Sequence, residues 1–224
     1  MERGFRILPS QRHVPDHLVE QFRGAATPHL SDVMQRLFAM DAAIRPYHPH
    51  PWMVGHALTV HTRPGDNLII HKALNMVQPG DVLVIDGSGD TTQALIGEIM
   101  TRQAEKKGAA GYVIDGAVRD SGILPTLGIP VYARGVTHRG PYKDGPGEIN
   151  VPISCGGCMV RPGDLIVGDH DGVVVVPYDE VEVILGKMLK KRAQEEQTLR
   201  EIEEDRLDRS WVDQALLAKG YRLD

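Results

Sequence analysis

The sequence GEIMTRQAEKKGAAGYVIDGAVRDSG, residues 97–122, passes from an amphipathic pattern to an unbroken apolar run and ends in a glycine-flanked turn. We expect a helix that begins at a cap formed by residues 90–92 and ends at residues 106–108. Its apolar positions would be Ala94, Leu95, Ile99, Met100 and Ala104. Residues 112–115 then predict a buried strand.

The flanking segments repeat this alternation of strand and helix. Residues 82–85 predict the strand before the helix, and residues 129–133 predict a strand after a short helix that begins at Ile123 and ends at Gly128. Strand, helix, strand, helix and strand in succession indicate parallel pairing. This block therefore predicts an α/β protein.

A turn sequence, Pro-Gly-Asp, recurs at residues 64–66, 79–81 and 162–164. Proline at the second turn position and glycine at the third are typical of a type II turn. Further elements are predicted around these turns: a helix after Thr27, a strand at 54–61, a helix at 68–76, and strands at 165–167 and 173–176. Together they predict a mixed α/β domain.

The two ends of the chain differ from this pattern. Residues 1–26 are polar and weakly periodic, whereas residues 178–209 are helical by propensity and densely charged. The second segment is either a solvated terminal helix or a helix that packs on another subunit. In the second case the contact stripe would be Leu199, Ile202, Leu207 and Trp211.

Composition excludes several classes of function. The length of 224 residues predicts one domain, or one domain with an appendage, and the formal net charge of −5 argues against nucleic acid as the main partner. The chain contains no apolar run of about 18 residues, so no membrane span is expected. Two cysteines are too few for a secreted disulfide scaffold, so a reducing cytoplasm is the expected location.

Three short motifs resemble functional sites without the spacing that such sites need. VLVIDGSGD, residues 82–90, resembles a nucleotide loop, but Asp90 stands where the third glycine would be. Cys155-Gly156-Gly157-Cys158 has no second cysteine pair, which favours structural thiols over a zinc or redox site. The histidines of His48-Pro49-His50 are expected in a solvent loop rather than on a metal.

Arg119-Asp120 follows the predicted strand at 112–115, and ligands of α/β proteins usually bind at the carboxyl ends of parallel strands. An arginine fork matches a carboxylate or an enolate oxygen, and aspartate offers a hard oxygen to Mg²⁺ or Mn²⁺. The residues alone leave two alternatives open: a site for an anionic, metal-chelating substrate, or a structural ion pair.

The chain resembles the RraA-like family, which includes the class II 4-hydroxy-4-methyl-2-oxoglutarate (HMG) and 4-carboxy-4-hydroxy-2-oxoadipate (CHA) aldolases. The resemblance rests on Glu98 followed after about twenty residues by Arg119-Asp120, within GEIM and VIDGAVRD. Further matching motifs are PGDNLIIHKAL from Pro64, QPGDVLVID from Gln78, NVPISCGG from Asn150 and RPGDLIVGDHDGVVVVP from Arg161.

This resemblance implies an α/β fold, the RraA-like swivelling β/β/α domain with mixed sheets and a C-terminal helical arm. The implied division is an N-terminal segment at 1–26, a catalytic domain at 27–191 and the arm at 192–224.

The resemblance also implies roles for individual residues. Gly97, Glu98, Ile99 and Met100 would form a helix start that binds the substrate carboxylate, and Arg119 would bind the pyruvyl oxygens and stabilise the enolate. Asp120 would bind Mg²⁺ or Mn²⁺ directly, and Glu98 would hold a metal-bound water.

The implied activity is metal-dependent retro-aldol release of pyruvate from HMG or CHA, with oxaloacetate decarboxylation as a second activity. The resemblance also implies a trimer or hexamer with the site between subunits. Glu203 and Glu204 are candidates to complete the site of the neighbouring subunit, and we assign this role to neither. The alternatives are a non-catalytic regulator that binds ribonuclease E, a methyltransferase, and a purely structural oligomeric domain. Retention of Asp120 favours the enzyme, and the broken glycine loop at Asp90 argues against the methyltransferase.

Overall fold

A computed structural model describes residues 2–223 as a mixed β-sheet with helices on its faces. The helices are α1 Asp16–Gln21, α2 Thr27–Val33, α3 Leu68–Met76, α4 Glu98–Lys106, α5 Val181–Glu203 and α6 Ser210–Ala218. The strands are β1 Arg45–Pro46, β2 Met53–Thr62, β3 Asp81–Asp86, β4 Ala94–Ile96, β5 Gly111–Val118, β6 Val131–Val136, β7 Gly147–Ile149, β8 Ile153–Cys155, β9 Cys158–Val160, β10 Leu165–Asp169 and β11 Gly172–Val176. A single 3₁₀ turn, Leu124–Thr126, is the helix predicted at Ile123.

The main sheet has nine strands in the order β1-β6-β5-β3-β2-β10-β11, with β4 paired to β5 and β7 paired to β2. Strands β2, β3, β5 and β6 are mutually parallel; β10 pairs antiparallel with β2, and β11 pairs antiparallel with β10. The α/β class with a mixed sheet is thus confirmed, and so is the parallel central block. The carboxyl ends of the parallel strands lie at one edge of the sheet and their amino ends at the other.

The parallel strands are buried on both faces, as their unbroken apolar sequences require. Leu83 and Ile85 of β3 belong to the cluster covered by α3 and α4. Val82 and Val84 point the other way, into a cluster that includes the β8–β9 hairpin. A third cluster joins α5, β10 and β11 to the N-terminal segment, where Phe22 is fully buried.

Two predicted helices have different bounds in the structure. The helix expected from residues 90–92 begins only at Glu98, because Ala94 and Ile96 pair with Ala117 and Val118 of β5 instead. Three residues are too few to show strand periodicity, and burial in the sheet overrides their helical spacing. The charged helix expected at 178–209 is α5, which ends at Glu203, and a separate helix, α6, begins only at Ser210.

Cys155 and Cys158 face each other across the β8–β9 turn as free, buried thiols. Burial raises the pKa of Cys155 well above its usual value and that of Cys158 to about 11. A thiol with a raised pKa is a poor nucleophile and a poor metal ligand, which agrees with the interpretation of both cysteines as structural.

No helix among residues 2–223 has both the length and the apolar character to span a membrane.

The three Pro-Gly-Asp turns are closed in the same way. In each, the aspartate N–H donates to the carbonyl three residues earlier, at 3.0 to 3.1 Å, and the glycine has a φ between +72° and +84°. The three aspartates are buried, and each carboxylate accepts backbone amides: Asp66 from Leu68, Asp144 and Gly145, Asp81 from Gln78, and Asp164 from Arg161 and Tyr178. The turns therefore anchor loops as well as reverse the chain.

Replacing Asp66 tests this anchoring. Burial raises the pKa of the Asp66 carboxyl, but its backbone N–H donors and Arg63 outweigh that effect and lower the pKa below the usual 3.8. The charged form therefore stabilises the fold above pH 4, and this contribution is lost as the pH falls further. We expect Asp66→Asn to lower the free energy of unfolding by about 2–3 kcal/mol at pH 7, and by less at pH 3.5.

Urea denaturation at the two pH values measures the difference. Asp144→Asn is the matched control, since its side chain is 72% exposed and lies 3.6 Å from the same Arg63. An equal loss for Asp66→Asn at both pH values would contradict a role for the charge.

Candidate active site

The residues after β4 and β5 meet because these two strands are parallel neighbours. The N–H of Arg119 donates to the carbonyl of Ile96 at 3.0 Å, which places Gly97 beside Arg119-Asp120. The N–H of Glu98 then donates to Asp120 Oδ2 at 3.0 Å. The first residue of α4 is thereby tied to the aspartate of the neighbouring loop.

Gly97 is required at this junction for steric reasons. Its φ of −155° is extended backbone that any residue can adopt. A Cβ at this position, however, would lie 2.3 Å from Asp120 Oδ2 and 2.8 Å from Arg119 Cγ. The arginine and aspartate can approach the start of α4 only because this residue has no side chain.

Asp120 is held as an exposed carboxylate at the positive end of a helix. Its backbone is left-handed, with φ of +60°, a conformation that aspartate tolerates better than most residues. Oδ2 accepts the Glu98 N–H and lies 3.7 Å from Arg119 Nε, while the side chain remains 41% exposed. This exposure leaves carboxylate oxygen available to a ligand.

A cavity of about 270 Å³ opens beside this junction. Among the predicted residues, Gly97, Ile99, Met100 and Arg119 line it. Glu98 and Asp120 do not line it, and Glu98 Oε1 accepts a hydrogen bond from Arg102 Nε at 2.8 Å along its own helix. The structure thus brings the helix start and the arginine into one cavity, with Asp120 joined to it through the Glu98 amide.

The cavity is also lined by Asn67, His71, Gly140, Pro141 and Lys143, which the sequence reasoning missed. Burial and the charge of Lys143 lower the pKa of His71, so the ring is neutral at pH 7. Asn67 is 3% exposed; its Nδ2 donates to Leu95 O at 3.0 Å, and its buried Oδ1 has no partner among residues 2–223. The cavity therefore offers two cations and neutral hydrogen-bonding groups.

A signal for two of these residues is present in the sequence. Asn67 precedes α3 and His71 lies four residues later, a spacing that puts both on one side of the helix start. Lys143 lies in the loop before β7 and has no such signal.

The motifs set aside as nucleotide or metal sites have structural roles. A Cβ on Gly87, in the turn after β3, would lie 2.9 Å from the carbonyl of Asp115, so this glycine permits close packing against β5. His48 Nε2 bonds the carbonyl of Leu127 at 2.7 Å, and Nδ1 accepts the N–H of His50 at 3.0 Å. In the described part of the chain, no three His, Cys, Asp or Glu side chains are grouped to hold a metal.

Comparison with known proteins agrees with the resemblance seen in the sequence. The family described as RraA-like, Aldolase/RraA, matches residues 27–175. The chain belongs to this family. A provisionally named 4-hydroxy-4-methyl-2-oxoglutarate aldolase from Halalkalibacterium halodurans is 44% identical over 187 residues, which are 84% of this chain and 89% of that protein.

Solved structures of other members have the same fold. RraAS2 from Streptomyces coelicolor, described as an unusual member of the RNase ES inhibitor RraA family, superposes with a TM-score of 0.77 at 28% identity, over 84% of this chain and 98% of that one. The RNA-processing inhibitor RraA from Thermus thermophilis gives 0.64 at 33% identity, over 68% and 93%. The RraA-like fold predicted from the motifs is confirmed.

The steric argument at Gly97 predicts a measurable cost. We expect Gly97→Ala to lower the free energy of unfolding by about 1–3 kcal/mol, because the new methyl group forces Arg119 and Asp120 apart from the helix. Gly122→Ala is the matched control, since a Cβ there meets no atom within 4 Å. Urea denaturation that finds the two variants equally stable would contradict the close approach.

Proposed function

We propose that this protein is a class II pyruvate aldolase that cleaves a 4-hydroxy-2-oxo di- or tricarboxylic acid, HMG or CHA, with oxaloacetate decarboxylation as a second activity. The observation that carries the proposal is the junction at Gly97, where Arg119 reaches the cavity and Asp120 is fixed at the start of α4. The 44% identical relative named as an HMG aldolase supports the substrate class.

The cavity suits a substrate with a 2-oxo acid end. The first N–H groups of a helix have no partner within the helix and favour an anion. At α4 the Glu98 amide is taken by Asp120, which leaves the amides of Ile99 and Met100 for the substrate carboxylate. Arg119 and Lys143 also line this cavity, and their positive charges favour a substrate with two carboxylates.

Mg²⁺ or Mn²⁺ fits the donor set at Asp120. Mg²⁺ commonly uses one or two carboxylates and keeps several waters, so a single exposed aspartate is a suitable anchor. We propose that Asp120 binds the ion directly and that Glu98, held by Arg102, orients a water. When bound, the ion supplies a Lewis acid that withdraws charge from the 2-oxo group.

Glu98 and Arg119 act at different points of the retro-aldol reaction. A water held by Glu98 takes the proton of the 4-hydroxyl, the C4 oxygen becomes a carbonyl, and the electrons of the C3–C4 bond form a C2–C3 enolate. The C4 fragment leaves as a second 2-oxo acid. Arg119 stabilises the negative enolate oxygen with a charge that is already in place before the bond breaks. Protonation at C3 then gives pyruvate. Loss of CO₂ from oxaloacetate forms the same enolate, which accounts for the second activity.

We also propose that residues 27–191 form the catalytic domain, that residues 1–26 are an N-terminal segment and that residues 192–224 are an arm of a trimer or hexamer with the site between subunits. The exposed apolar side chains on α5 and α6 support the arm. Leu199 and Ile202 on the charged helix α5, and Trp211 and Leu217 on α6, are each more than half exposed. Burial of such side chains against another copy is a strong driving force for assembly.

Activity assays test the roles of Arg119 and Asp120. We expect Arg119→Gln and Asp120→Asn each to lower kcat for pyruvate release from HMG by about 10²–10³-fold, measured with coupled lactate dehydrogenase. EDTA should abolish the activity, and added Mg²⁺ or Mn²⁺ should restore it.

The matched controls are Arg139→Gln and Asp144→Asn, exposed residues that do not line the cavity. Activity that survives complete metal removal, or an Asp120→Asn variant as active as Asp144→Asn, would refute the mechanism.

The arm predicts an oligomer that depends on its apolar side chains. Light scattering at micromolar concentration should give a trimer or hexamer for the unaltered protein. The variant Leu199→Lys, Ile202→Lys, Trp211→Lys should dissociate, whereas Gln197→Lys on the same helix should not. A monomeric unaltered protein would refute the inter-subunit site.

A second candidate function is a non-catalytic regulator of ribonuclease E. The superposition with RraAS2 over nearly the whole of that chain favours it. A stable complex with ribonuclease E in a pull-down, without pyruvate release from HMG, CHA or oxaloacetate, would establish this function in place of the aldolase.

A further inference from the structure

A second and larger cavity lies at the opposite edge of the sheet. Its volume is about 550 Å³, and its floor includes the turns that precede β3, β5 and β6, at residues 79–80, 108–110 and 128–130. Residues of the N-terminal segment between Arg12 and Ala25 form the other wall. No residue lines both cavities, and β5 runs from Gly111 beside this one to Val118 beside the other.

The unsatisfied buried atoms of the molecule are concentrated here. Among residues 2–223, four buried side-chain nitrogen or oxygen atoms have no hydrogen-bond partner: Arg12 Nε, His56 Nδ1, His56 Nε2 and Asn67 Oδ1. Three of the four belong to residues that line the 550 Å³ cavity, and the fourth belongs to the cavity at Arg119. An unpartnered buried polar atom destabilises the fold, so its presence calls for a functional reason.

His56 supplies both a donor and an acceptor to this site. The side chain is 3% exposed, and its nearest carboxylate oxygen, Asp16 Oδ1, is 3.8 Å from Nε2, too far for a hydrogen bond. Burial and the charge of Arg12 lower the pKa of His56, so the ring is neutral at pH 7. One ring nitrogen therefore carries a proton and the other accepts one. Asp16 is 91% exposed and can swing aside to admit a ligand.

The two arginines that line the cavity are already paired. Arg12 Nη2 donates at 2.6 Å to Asp81 Oδ1 and to the carbonyl of Pro79, while its Nε–H is buried without a partner among residues 2–223. Arg23 is paired with Glu20. Because both cations have their own carboxylates, the described residues of the site offer no free cation to bind an anion. The carboxylate of Asp16, which also lines the cavity, is 91% exposed, so water screens its charge.

Apolar side chains, aromatic rings among them, form part of the remaining wall. Trp52 is 49% exposed, and Phe22 and Met53 lie buried beside the same space. Small-molecule sites of 300–1,000 Å³ typically combine such walls with a few convergent polar groups. We propose that this cavity is a second ligand site, which takes an uncharged aromatic amide or lactam that hydrogen-bonds His56 and the Arg12 Nε–H.

An amide supplies the acceptor and the donor that two of the unpartnered atoms lack. Its carbonyl oxygen accepts from Arg12 Nε–H, and its N–H donates to the unprotonated ring nitrogen of His56. Its ring lies against the apolar wall at Trp52. The proposal does not rest on the aldolase function, because binding at this edge can be measured without turnover.

Benzamide is the probe for this site, with benzoate and toluene as matched controls that add a charge or remove the amide. Titration calorimetry should give a benzamide dissociation constant of about 1 mM, within the range open to so small a ligand, and binding of both controls at least tenfold weaker. The ring ¹⁵N resonances of His56 should shift on addition of benzamide.

Two variants place the binding in the cavity. His56→Phe keeps the ring and removes the nitrogens, and Ala110→Met fills the space from another wall; each should weaken benzamide binding at least tenfold. Since His56→Phe removes two unpartnered nitrogens, we expect it to fold. Binding that is absent in the unaltered protein at 10 mM benzamide, as tight in both variants as in the unaltered protein, or tighter for benzoate than for benzamide would overturn the proposal.

Discussion

The close approach of one glycine to two charged side chains is the contact on which the candidate active site depends. Gly97 leaves no room for a Cβ between the start of α4 and Arg119-Asp120. The contact exists because β4 and β5 are parallel neighbours whose ends are joined by the bond from the Arg119 N–H to the Ile96 carbonyl. The three residues of β4 therefore set the positions of α4, Arg119 and Asp120.

This arrangement puts charge where water and a ligand can reach it. Asp120 is held by the Glu98 N–H at the positive end of α4 and stays 41% exposed, so its position is fixed without burial of its charge. The opposite edge of the sheet is built differently, since Arg12 is neutralised by Asp81 and His56 is uncharged. One parallel sheet thus presents a cavity with Arg119 and Lys143 at its carboxyl edge and a cavity whose two arginines are paired at its amino edge.

Several elements could be predicted from the sequence because each is long enough to show its own pattern. The helix expected at 68–76 matches α3, the strand at 54–61 matches β2 within two residues, and the three Pro-Gly-Asp turns have glycines at positive φ. The prediction that Ala94–Ile96 belongs to a helix was wrong, because these residues form strand β4 through pairing with β5 and not through any preference of their own. A local pattern cannot report a partner strand that lies more than twenty residues away.

The candidate site divides in the same way. The sequence by itself determined the α/β class and the parallel block, because turn chemistry and apolar runs are local properties of the chain. The helix start at Gly97 beside Arg119-Asp120 was implied by the resemblance of its motifs to the family. Only the tertiary structure decided that Asn67, His71 and Lys143 share the cavity with Arg119 and that Glu98 bonds Arg102. It alone placed His56 without a partner beside Arg12. The physical reason is that burial and hydrogen-bond partners depend on segments far apart in the chain, which become neighbours only when the sheet forms.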